Sequence, residues 1–479
     1  MSAAEPAETF RPRPWRGIGA SSRTWARRGL LYSGVSFFLV ACTFTYYGQL
    51  NRDQTGDTWG TIYTAVAIVQ EHTIWLDRYL PLLQQHGGKA PYMIAPGPRG
   101  HIVNRTPTAS SILALPVVAV FTVFGVNAQN WHAWMEAGML TAALTAAATV
   151  AVMFVLLTRL TTRRRAALIA ATFAWGTLEW GISGQALWQH GGAGLALAVA
   201  LLALVDRRLA LAGAAIAAMA AFRLSTPIIA IFLLPLVGRR PSDWGRFLLG
   251  TTPFVLPLAL YNWVAFGSPL HQGYGTQHIV QALNFQSGEL LRGTAGLLLS
   301  PGRGLFVYSP VLLFAIVGLV RGRRQPLYPL CALAAGAYVV AAANGWDWYG
   351  GQSFGARRIT DILPLLAVLL VPAVDAIVRT KWLRVYVVLL GWSVFVEVLA
   401  ATGWPPGTYW FDRHPEPIAF PLWWSVTDNE LVAMLQTPGI AVRLLEMVLL
   451  LVGGIGLGYL ATFVTNGMRR PAPARLPEA

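Results

Sequence analysis

The chain has 479 residues, of which 55% are hydrophobic and only 12% are charged. That charged fraction is about half of the roughly 25% typical of soluble proteins, and several apolar runs reach the ~20 residues that cross a bilayer. The net charge of +15 suits cytoplasmic loops and anionic headgroups rather than nucleic acid. Composition therefore excludes an ordinary soluble protein and predicts an all-α, polytopic membrane protein.

The N-terminal segment 1–28 is rich in proline and arginine, which predicts a disordered, basic, cytoplasmic segment. The first apolar run comes late and no small-residue cleavage site follows it, so residues 29–47 are read as an uncleaved first span. We predict one transmembrane domain over residues 29–466 and a cytoplasmic tail over residues 467–479. Its first outer loop, residues 48–133, is long and polar.

The apolar stretch 108–124 decides the topology. If this stretch crosses the membrane, Arg159 and the three arginines 163–165 fall outside, against the positive-inside rule. If it stays on the outer side as an interfacial helix, the later basic loops all fall inside. We therefore predict interfacial helices in the first loop and about 12 spans. These spans are 29–47, 134–157, 166–182, 190–205, 209–222, 225–237, 247–265, 305–320, 326–343, 361–378, 384–401 and 439–464.

Two carboxylates, Asp53 and Asp57, follow the first span near the predicted membrane surface. Behind Asp57, apolar residues at i, i+3, i+4 and i+7 spacing predict an amphipathic helix lying on the bilayer. Asp57 could cap this helix by accepting backbone N–H bonds, or it could be a general base that takes a proton from an acceptor hydroxyl. Asp53 reads first as a polar loop residue. The apolar stripe consists of Trp59, Ile62, Tyr63, Val66 and Val69.

Several basic residues occur on the outer face, where the positive-inside rule disfavours them. Arg357 and Arg358 enter a span from that side, and cations placed so need an anionic partner. The planar guanidinium fork binds phosphate oxygens well. Three alternative roles stay open, namely headgroup contact for an arginine, a tight turn for the Gly-Arg-Gly run, and a structural histidine. The candidate phosphate ligands are Arg357, Arg358, Arg303, Arg105 and His190.

Aromatic and polar residues of the outer loops could line a site for a sugar or an acceptor, although an aromatic belt at the membrane interface would have the same composition. Arg223, between two short predicted spans, reads as the anchor of a turn. Cys42 and Cys331 both lie in apolar runs, so they predict neither a disulfide framework nor a metal site. The candidate lining residues are Trp188, Gln189, Tyr308, Asp347 and Trp348.

Six short segments of the chain, in their order along the sequence, resemble counterparts in bacterial GT-C-class membrane glycosyltransferases. These enzymes are similar to the protein O-mannosyltransferase and aminoarabinose-transferase families. The resemblance implies a GT-C-like fold and transfer, with inversion, of a sugar from a polyprenyl-phosphate donor to an extracytoplasmic acceptor. It implies that Asp57 is the catalytic base, with Asp53 or Asp77 as a second acidic residue. The segments are Thr55-Gly-Asp57-Thr-Trp, Asn104-Arg105-Thr-Pro107, Leu187-Trp188-Gln189-His190-Gly, Tyr261-Asn262-Trp-Val-Ala-Phe266-Gly-Ser-Pro269, Ser300-Pro301-Gly-Arg303-Gly-Leu-Phe-Val-Tyr308-Ser-Pro310 and Tyr349-Gly-Gly-Gln-Ser-Phe-Gly-Ala-Arg357-Arg358.

The implied partners are a polyprenyl-phosphate-linked sugar, a cell-envelope glycan, lipid or protein acceptor, and membrane lipids, but no nucleic acid. The implied location is the inner cell membrane, multi-pass, with the site facing the extracytoplasmic side. No ligand cluster in the sequence demands a metal, so no cofactor is assigned, although a divalent cation could assist. Two more functions stay open: a transporter or flippase of a lipid-linked saccharide, and a non-catalytic membrane scaffold of the same fold.

Overall fold

The computed structural model describes residues 22–52, 55–89, 91–271, 273, 287–344, 347–403, 410–414 and 418–467, without the side chains of 22–30, 287–289, 412 and 467. Helices dominate these residues, because a backbone inside a bilayer must satisfy its own N–H and C=O groups. The all-α prediction is confirmed for this part of the chain. The elements are α1 (Ser22–Tyr47), α2 (Gly56–Glu71), α3 (Leu80–Gly87), β1 (Ile94–Pro96), β2 (Ile102–Asn104), α4 (Ala109–Val123), α5 (Trp131–Leu160), α6 (Arg163–Trp175), α7 (Gln189–Val205), α8 (Leu209–Phe222), α9 (Pro227–Leu233), α10 (Pro241–Phe266), α11 (Ser287–Leu299), α12 (Leu305–Tyr308), α13 (Phe314–Gly322), α14 (Leu327–Ala343), α15 (Leu363–Ile377), α16 (Trp382–Ala401), α17 (Trp410–Arg413), α18 (Glu430–Leu435) and α19 (Ile440–Gly467).

Short segments of tighter or wider helix join these elements. A 3-10 turn at Asp77–Tyr79 leads into α3, and another at Arg357–Ile362 leads into α15. A π-helical turn at Glu179–Ser183 separates α6 from α7. The strands β1 and β2 form an antiparallel hairpin in which Ile94 pairs with Asn104. The 3-10 turn at Arg357–Ile362 contains two of the candidate phosphate ligands, Arg357 and Arg358.

Five helices among the described residues are long and apolar enough to cross a membrane, and eight shorter apolar helices accompany them. The chain therefore has the make-up of a membrane protein. The prediction of about 12 spans goes further than these helices show, and it stays a prediction. The five long helices are Trp131–Leu160, Pro241–Phe266, Arg357–Ile377, Trp382–Ala401 and Ile440–Asn466.

The helices divide into a buried centre and an apolar periphery. In α5, 72% of the most apolar 18-residue stretch is buried, and in Arg357–Ile377 the buried share is 83%. In α10 and α19 the corresponding shares are only 11% and 17%. Leu249 on α10 and Leu460 on α19 stay largely exposed. Contiguous apolar surface of this kind suits contact with lipid or another membrane segment. α1 packs between α5 and α19, and α8 packs between α7 and α10.

Helix α2 has the apolar face that the sequence predicts, but this face does not lie on the bilayer. Ile62, Tyr63 and Val66 are buried, and Trp59 and Val69 pack against the same cluster. The face meets α4 and α5 instead of lipid. Periodicity reveals an apolar face but not what covers it, and here other helices of the chain cover it. This contact fixes α2, and with it Asp57, to the helical bundle.

Helix α4 confirms the helix predicted at 108–124. Its polar side chains face inward: Ser110 and Ser111 are buried, and the Ser111 hydroxyl donates to the Thr61 carbonyl at 2.8 Å. Its exposed side is apolar, with Val123, and Phe124 just after the helix, more than four-fifths exposed. An apolar outer face suits an interfacial helix against lipid. The interfacial location itself stays a prediction.

The long helices separate two polar ends of the molecule. At the N-terminal end of α5, Trp131 contacts Trp59 of the first loop, with ring centroids 4.9 Å apart. At the other end, about 45 Å away for 30 helical residues, Arg159 Nε donates to Asp206 at 3.1 Å. The basic loops therefore lie at the opposite end from the first loop. The ion pairs at that basic end are Arg159–Asp206, Arg207–Asp243 and Arg165–Asp375.

Candidate active site

Asp57 lies within the first turn of α2, one residue after the helix begins at Gly56. Thr55 occupies the extended position before the helix, so the interpretation of Asp57 as the cap is wrong. The Asp57 carboxylate is held by two side chains instead: Oδ2 accepts from Arg357 Nη1 at 2.6 Å, and Oδ1 accepts from the Tyr92 hydroxyl at 2.6 Å. Arg357 thus contacts Asp57 although 300 residues separate them in the sequence.

These contacts also set the charge state of Asp57. Burial alone would raise the pKa of the Asp57 carboxyl, but the Arg357 guanidinium and the Tyr92 hydroxyl together outweigh it. The net result is a pKa below the usual value for aspartate. Asp57 is therefore ionised at neutral pH in this arrangement, although its side chain is still 37% exposed. Asp57 is thus a partly exposed, ionised carboxylate that a ligand can reach.

Arg357 is fixed on several sides. Besides the bond to Asp57, its Nη2 donates to the Gly350 carbonyl, and its guanidinium lies over the Trp188 ring at 4.3 Å from the centroid. Trp188 in turn donates from Nε1 to the Thr55 hydroxyl at 2.9 Å. Trp188, a predicted lining residue, is thus mostly buried and supports the cation. Stacking and hydrogen bonding together orient the guanidinium edge toward Asp57.

A second ionic group lies beside the first, around Asp361. The buried Oδ2 of Asp361 accepts from Arg223 Nη1 at 2.8 Å and from the Tyr338 hydroxyl at 2.9 Å, and it lies 3.0 Å from His190 Nδ1. Arg223 Nη1 also lies 2.9 Å from His190 Nε2. Asp57 interacts electrostatically with both Arg357 and His190, which places this group next to the Asp57–Arg357 pair. His190, a predicted phosphate ligand, is therefore in the site but largely buried.

Arg223 is the site residue that sequence reasoning missed, because it reads there as the anchor of a turn. Its Nε does donate to the Ser225 hydroxyl at 3.1 Å, as such an anchor would. The pairing with Asp361 is 138 residues away in sequence and leaves no local signal. The available hint was an arginine on the outer face, which needs an anionic partner as Arg357 does.

Arg358 pairs with Asp347 through a short contact between Nη2 and Oδ2. Both side chains are partly exposed. Asp347, predicted to line a sugar site, is thus the counter-ion of a predicted phosphate ligand. Arg357, Arg358 and Arg223 each pair with a carboxylate. A bound phosphate would have to compete with these carboxylates.

Three predicted site residues are buried in the protein interior, where they could not contact a ligand. Arg303 is completely buried and its guanidinium is bonded to backbone carbonyls, which corrects the prediction that it binds the donor phosphate. Tyr308 is buried with its hydroxyl oxygen 2.6 Å from Glu430, and Trp348 is buried against Trp423. The lining role predicted for Tyr308 and Trp348 is corrected likewise. The glycine-rich loops fold inward, so these three side chains are packed in the protein interior.

Arg105 is connected to the site only indirectly. Its Nε donates to the Gly273 carbonyl at 3.0 Å and its Nη1 to the Tyr92 carbonyl at 3.2 Å. It supports the residue that bonds Asp57, and it also borders a small separate cleft that Tyr261 and Phe266 line. Gln189 begins α7 beside His190 and is partly buried. The second predicted catalytic residue, Asp53, lies outside the described residues.

No protein-family model matches the sequence, and no curated protein matches it either. The likeness to GT-C-class enzymes therefore stays a prediction from the six sequence segments. The functional case rests on the side-chain geometry around Asp57.

Proposed function

We propose that the chain is a glycosyltransferase that moves a sugar, with inversion, from a polyprenyl-phosphate donor to an acceptor hydroxyl on the extracytoplasmic side of the membrane. The observation that carries this proposal is the 2.6 Å contact between Asp57 Oδ2 and Arg357 Nη1. It joins a proton acceptor and a phosphate-binding cation from two distant parts of the chain in one partly exposed place. General-base catalysis and phosphate recognition need these two groups together.

The proposed reaction is a single displacement. The acceptor oxygen attacks the anomeric carbon from the face opposite the phosphate, and the bond between that carbon and the phosphate oxygen breaks. The electron pair stays on the departing polyprenyl phosphate, and the acceptor proton passes to Asp57. Arg357 and Arg358 neutralise the charge that the phosphate gains. Electrostatic stabilisation of this kind usually supplies the larger part of the barrier lowering. Arg223, which lies beside them, is already paired with the Asp361 carboxylate.

Donor binding must rearrange the ion pair before Asp57 can act. While Arg357 contacts Asp57 it keeps the pKa of Asp57 low, and a carboxylate with a low pKa is a weak base. A donor phosphate that draws Arg357 toward itself releases Asp57 and lets its pKa rise. The donor is thus expected to bind before the acceptor oxygen is activated.

The two polar ends of the bundle support a location for the proposed site. Basic ion pairs such as Arg159–Asp206 cluster at the end opposite Asp57, and basic loops favour the cytoplasmic side. This arrangement supports an inner-membrane protein with Asp57 at the extracytoplasmic end. The donor would then reach the site from the bilayer, and a cell-envelope glycan, lipid or protein acceptor from outside.

A divalent cation would supply a further neutralising charge to the phosphate. The part of the chain that the structure describes contains no group of three or more His, Cys, Asp or Glu side chains that could hold one. We therefore assign no residue to a metal, and the proposed steps use the arginines.

The proposal is tested with purified protein in liposomes that contain a panel of polyprenyl-phosphate sugars. We expect acceptor-dependent release of polyprenyl phosphate, detected by mass spectrometry, for at least one donor. Arg357→Gln and Arg358→Gln should each lower the rate roughly 10²- to 10³-fold, as loss of one charge-stabilising group commonly does. Arg159→Gln, which changes an arginine at the opposite end, is the matched control and should keep the rate.

The same liposomes separate the proposal from a flippase. A flippase moves the lipid-linked saccharide across the bilayer with its glycosidic bond intact, and no polyprenyl phosphate appears. That result, across the whole panel, would overturn the proposed transferase.

A further inference from the structure

Arg303 and Glu430 form a buried ion pair that is separate from the Asp57–Arg357 pair of the candidate site. Arg303 and Glu430 have side chains that are 0% and 1% exposed, with Nη1 3.6 Å from Oε2. The Arg303 guanidinium is enclosed between the rings of Phe411 and Trp423, at 5.0 and 4.9 Å from their centroids. Removing two charges from water is costly, and a buried ion pair often adds little net stability. A gain in stability alone therefore does not account for this pair.

The hydrogen bonds of this pair converge on one loop. Arg303 donates to the Gly355 carbonyl at 3.0 Å and to the Gly351 carbonyl at 2.7 Å. Glu430 Oε1 accepts from the Gly355 backbone N–H at 2.7 Å and from the Tyr308 hydroxyl at 2.6 Å. Gly355 is thus held at both its N–H and its carbonyl by two charged side chains. Hydrogen bonds to charged groups are the stronger kind.

The loop concerned has little regular structure of its own. Gly350, Gly351 and Gly355 have φ angles of +80°, +70° and +54°, a left-handed region in which glycine is at ease. Two residues after Gly355 comes Arg357, whose guanidinium contacts Asp57. Small shifts of the loop would therefore move this guanidinium. Charged side chains hold the loop where backbone pairing within a helix or sheet does not.

We propose that Arg303 and Glu430 are positioning residues that hold the loop 350–358, which carries the two arginines of the candidate site. This inference rests on the proposed function for its catalytic consequence, but the positioning itself is a structural property. The pair acts through the loop backbone rather than through Asp57. A misplacement of about 1 Å can lower an enzymatic rate about 100-fold, so such a tether matters for catalysis beyond its effect on stability.

The test uses Glu430→Gln, which keeps an acceptor for the Gly355 N–H but removes the charge, and Arg303→Lys, which keeps the charge but removes the planar fork. If either variant fails to fold, the paired replacement Arg303→Met with Glu430→Leu removes both charges at once, which proteins often tolerate. Arg159→Lys, at an ion pair of the opposite end, is the matched control. Hydrogen exchange of the amides in 350–358, thermal unfolding and the pH dependence of transfer are measured for each.

We expect faster exchange confined to 350–358 and a roughly ten- to hundredfold lower kcat per folded molecule. The acid limb of the pH profile of kcat/KM, which reports the free enzyme, should move to higher pH, because a loosened Arg357 no longer favours ionised Asp57. The control should change none of these. Unchanged exchange in 350–358 would overturn the positioning role, and so would a loss of folded protein with an unchanged kcat and pH profile.

The hydrogen-exchange readout keeps the two proposals distinguishable. If the wild type transfers no sugar, the proposed function fails. The exchange of 350–358 in the variants then still decides whether Arg303 and Glu430 hold the loop.

Discussion

The Asp57 carboxylate accepts hydrogen bonds from the guanidinium of Arg357 and the hydroxyl of Tyr92, and this arrangement has two opposing effects. It orients the oxygens and keeps the carboxylate ionised, which favours binding of a hydroxyl proton. It also lowers the pKa of Asp57, which weakens the base. The two effects are reconciled only if a ligand takes Arg357 away from Asp57. The donor phosphate is the ligand whose charge is suited to do so.

The lowered pKa of Asp57 predicts a pH-dependent contribution to stability. The unfolded carboxyl has a pKa of about 3.9, and the folded value is lower. The stabilisation is therefore fully present above about pH 4 and is lost as pH falls through the folded pKa. Wild-type protein in detergent should lose more of its melting temperature between pH 6 and pH 3 than Asp57→Asn loses. Equal losses in the two proteins would contradict the lowered pKa.

At the scale of elements, the loop 350–358 and helix α2 meet because each is fixed from behind. The buried apolar face of α2 packs on α4 and α5, and the Arg303–Glu430 pair bonds the loop backbone. Neither element places its charged residue by local structure alone. The contact between Asp57 and Arg357 is therefore a product of packing at two separate places.

Gly355 gives a direct test of the loop conformation. Its φ is +54°, and an added Cβ would lie 2.9 Å from Leu178 Cδ2 and 3.0 Å from Tyr308 Cδ1. Gly355→Ala should lower the free energy of unfolding by about 1–2 kcal/mol from the left-handed backbone alone, with crowding adding to it. Denaturant unfolding in detergent measures the change.

The matched control for this substitution is Gly336→Ala. Gly336 lies in α14 with open space around its Cβ position, and alanine in place of glycine within a helix stabilises by roughly 0.5–1 kcal/mol. The two variants should therefore shift in opposite directions. A Gly355→Ala protein as stable as wild type would show that the loop does not need this backbone conformation.

The sequence carries much of the element-scale information and less of the site. The apolar stripe of Ile62, Tyr63 and Val66 predicts α2 correctly, because side-chain period follows helix geometry. What covers that stripe is not written in the period. In the same way, Gly-Arg303-Gly indicates a tight turn but not the buried Glu430 that pairs with it. Contacts of this kind depend on the whole packing, which local patterns do not encode.

At the scale of the whole molecule, the helices separate a basic end from the end with Asp57. α7 shows this in one element, since it begins next to His190 and ends next to Asp206. The short basic turns at one end and the long polar segments at the other agree with the positive-inside rule. The arrangement fits a protein whose ligands arrive from one side only.

This orientation predicts the labelling of single cysteines in intact cells. The background would replace Cys42 and Cys331, which are both buried. A cysteine at exposed Tyr92, near Asp57, should react with a membrane-impermeant maleimide added outside. A cysteine at Arg208, at the basic end, should react only after the cells are permeabilised. The reverse pattern would contradict the predicted orientation of the site.

The central claim is that Asp57 is the base of a sugar transfer. Its most direct test is the rate of transfer in liposomes by Asp57→Asn, which keeps the shape of the side chain and its place in the first turn of α2. The matched control is Asp243→Asn, which changes another first-turn aspartate paired with an arginine, at the opposite end of the bundle. We predict a rate lowered by about 10²- to 10⁴-fold in Asp57→Asn and an unchanged rate in Asp243→Asn. Full activity of a folded Asp57→Asn protein would contradict the account.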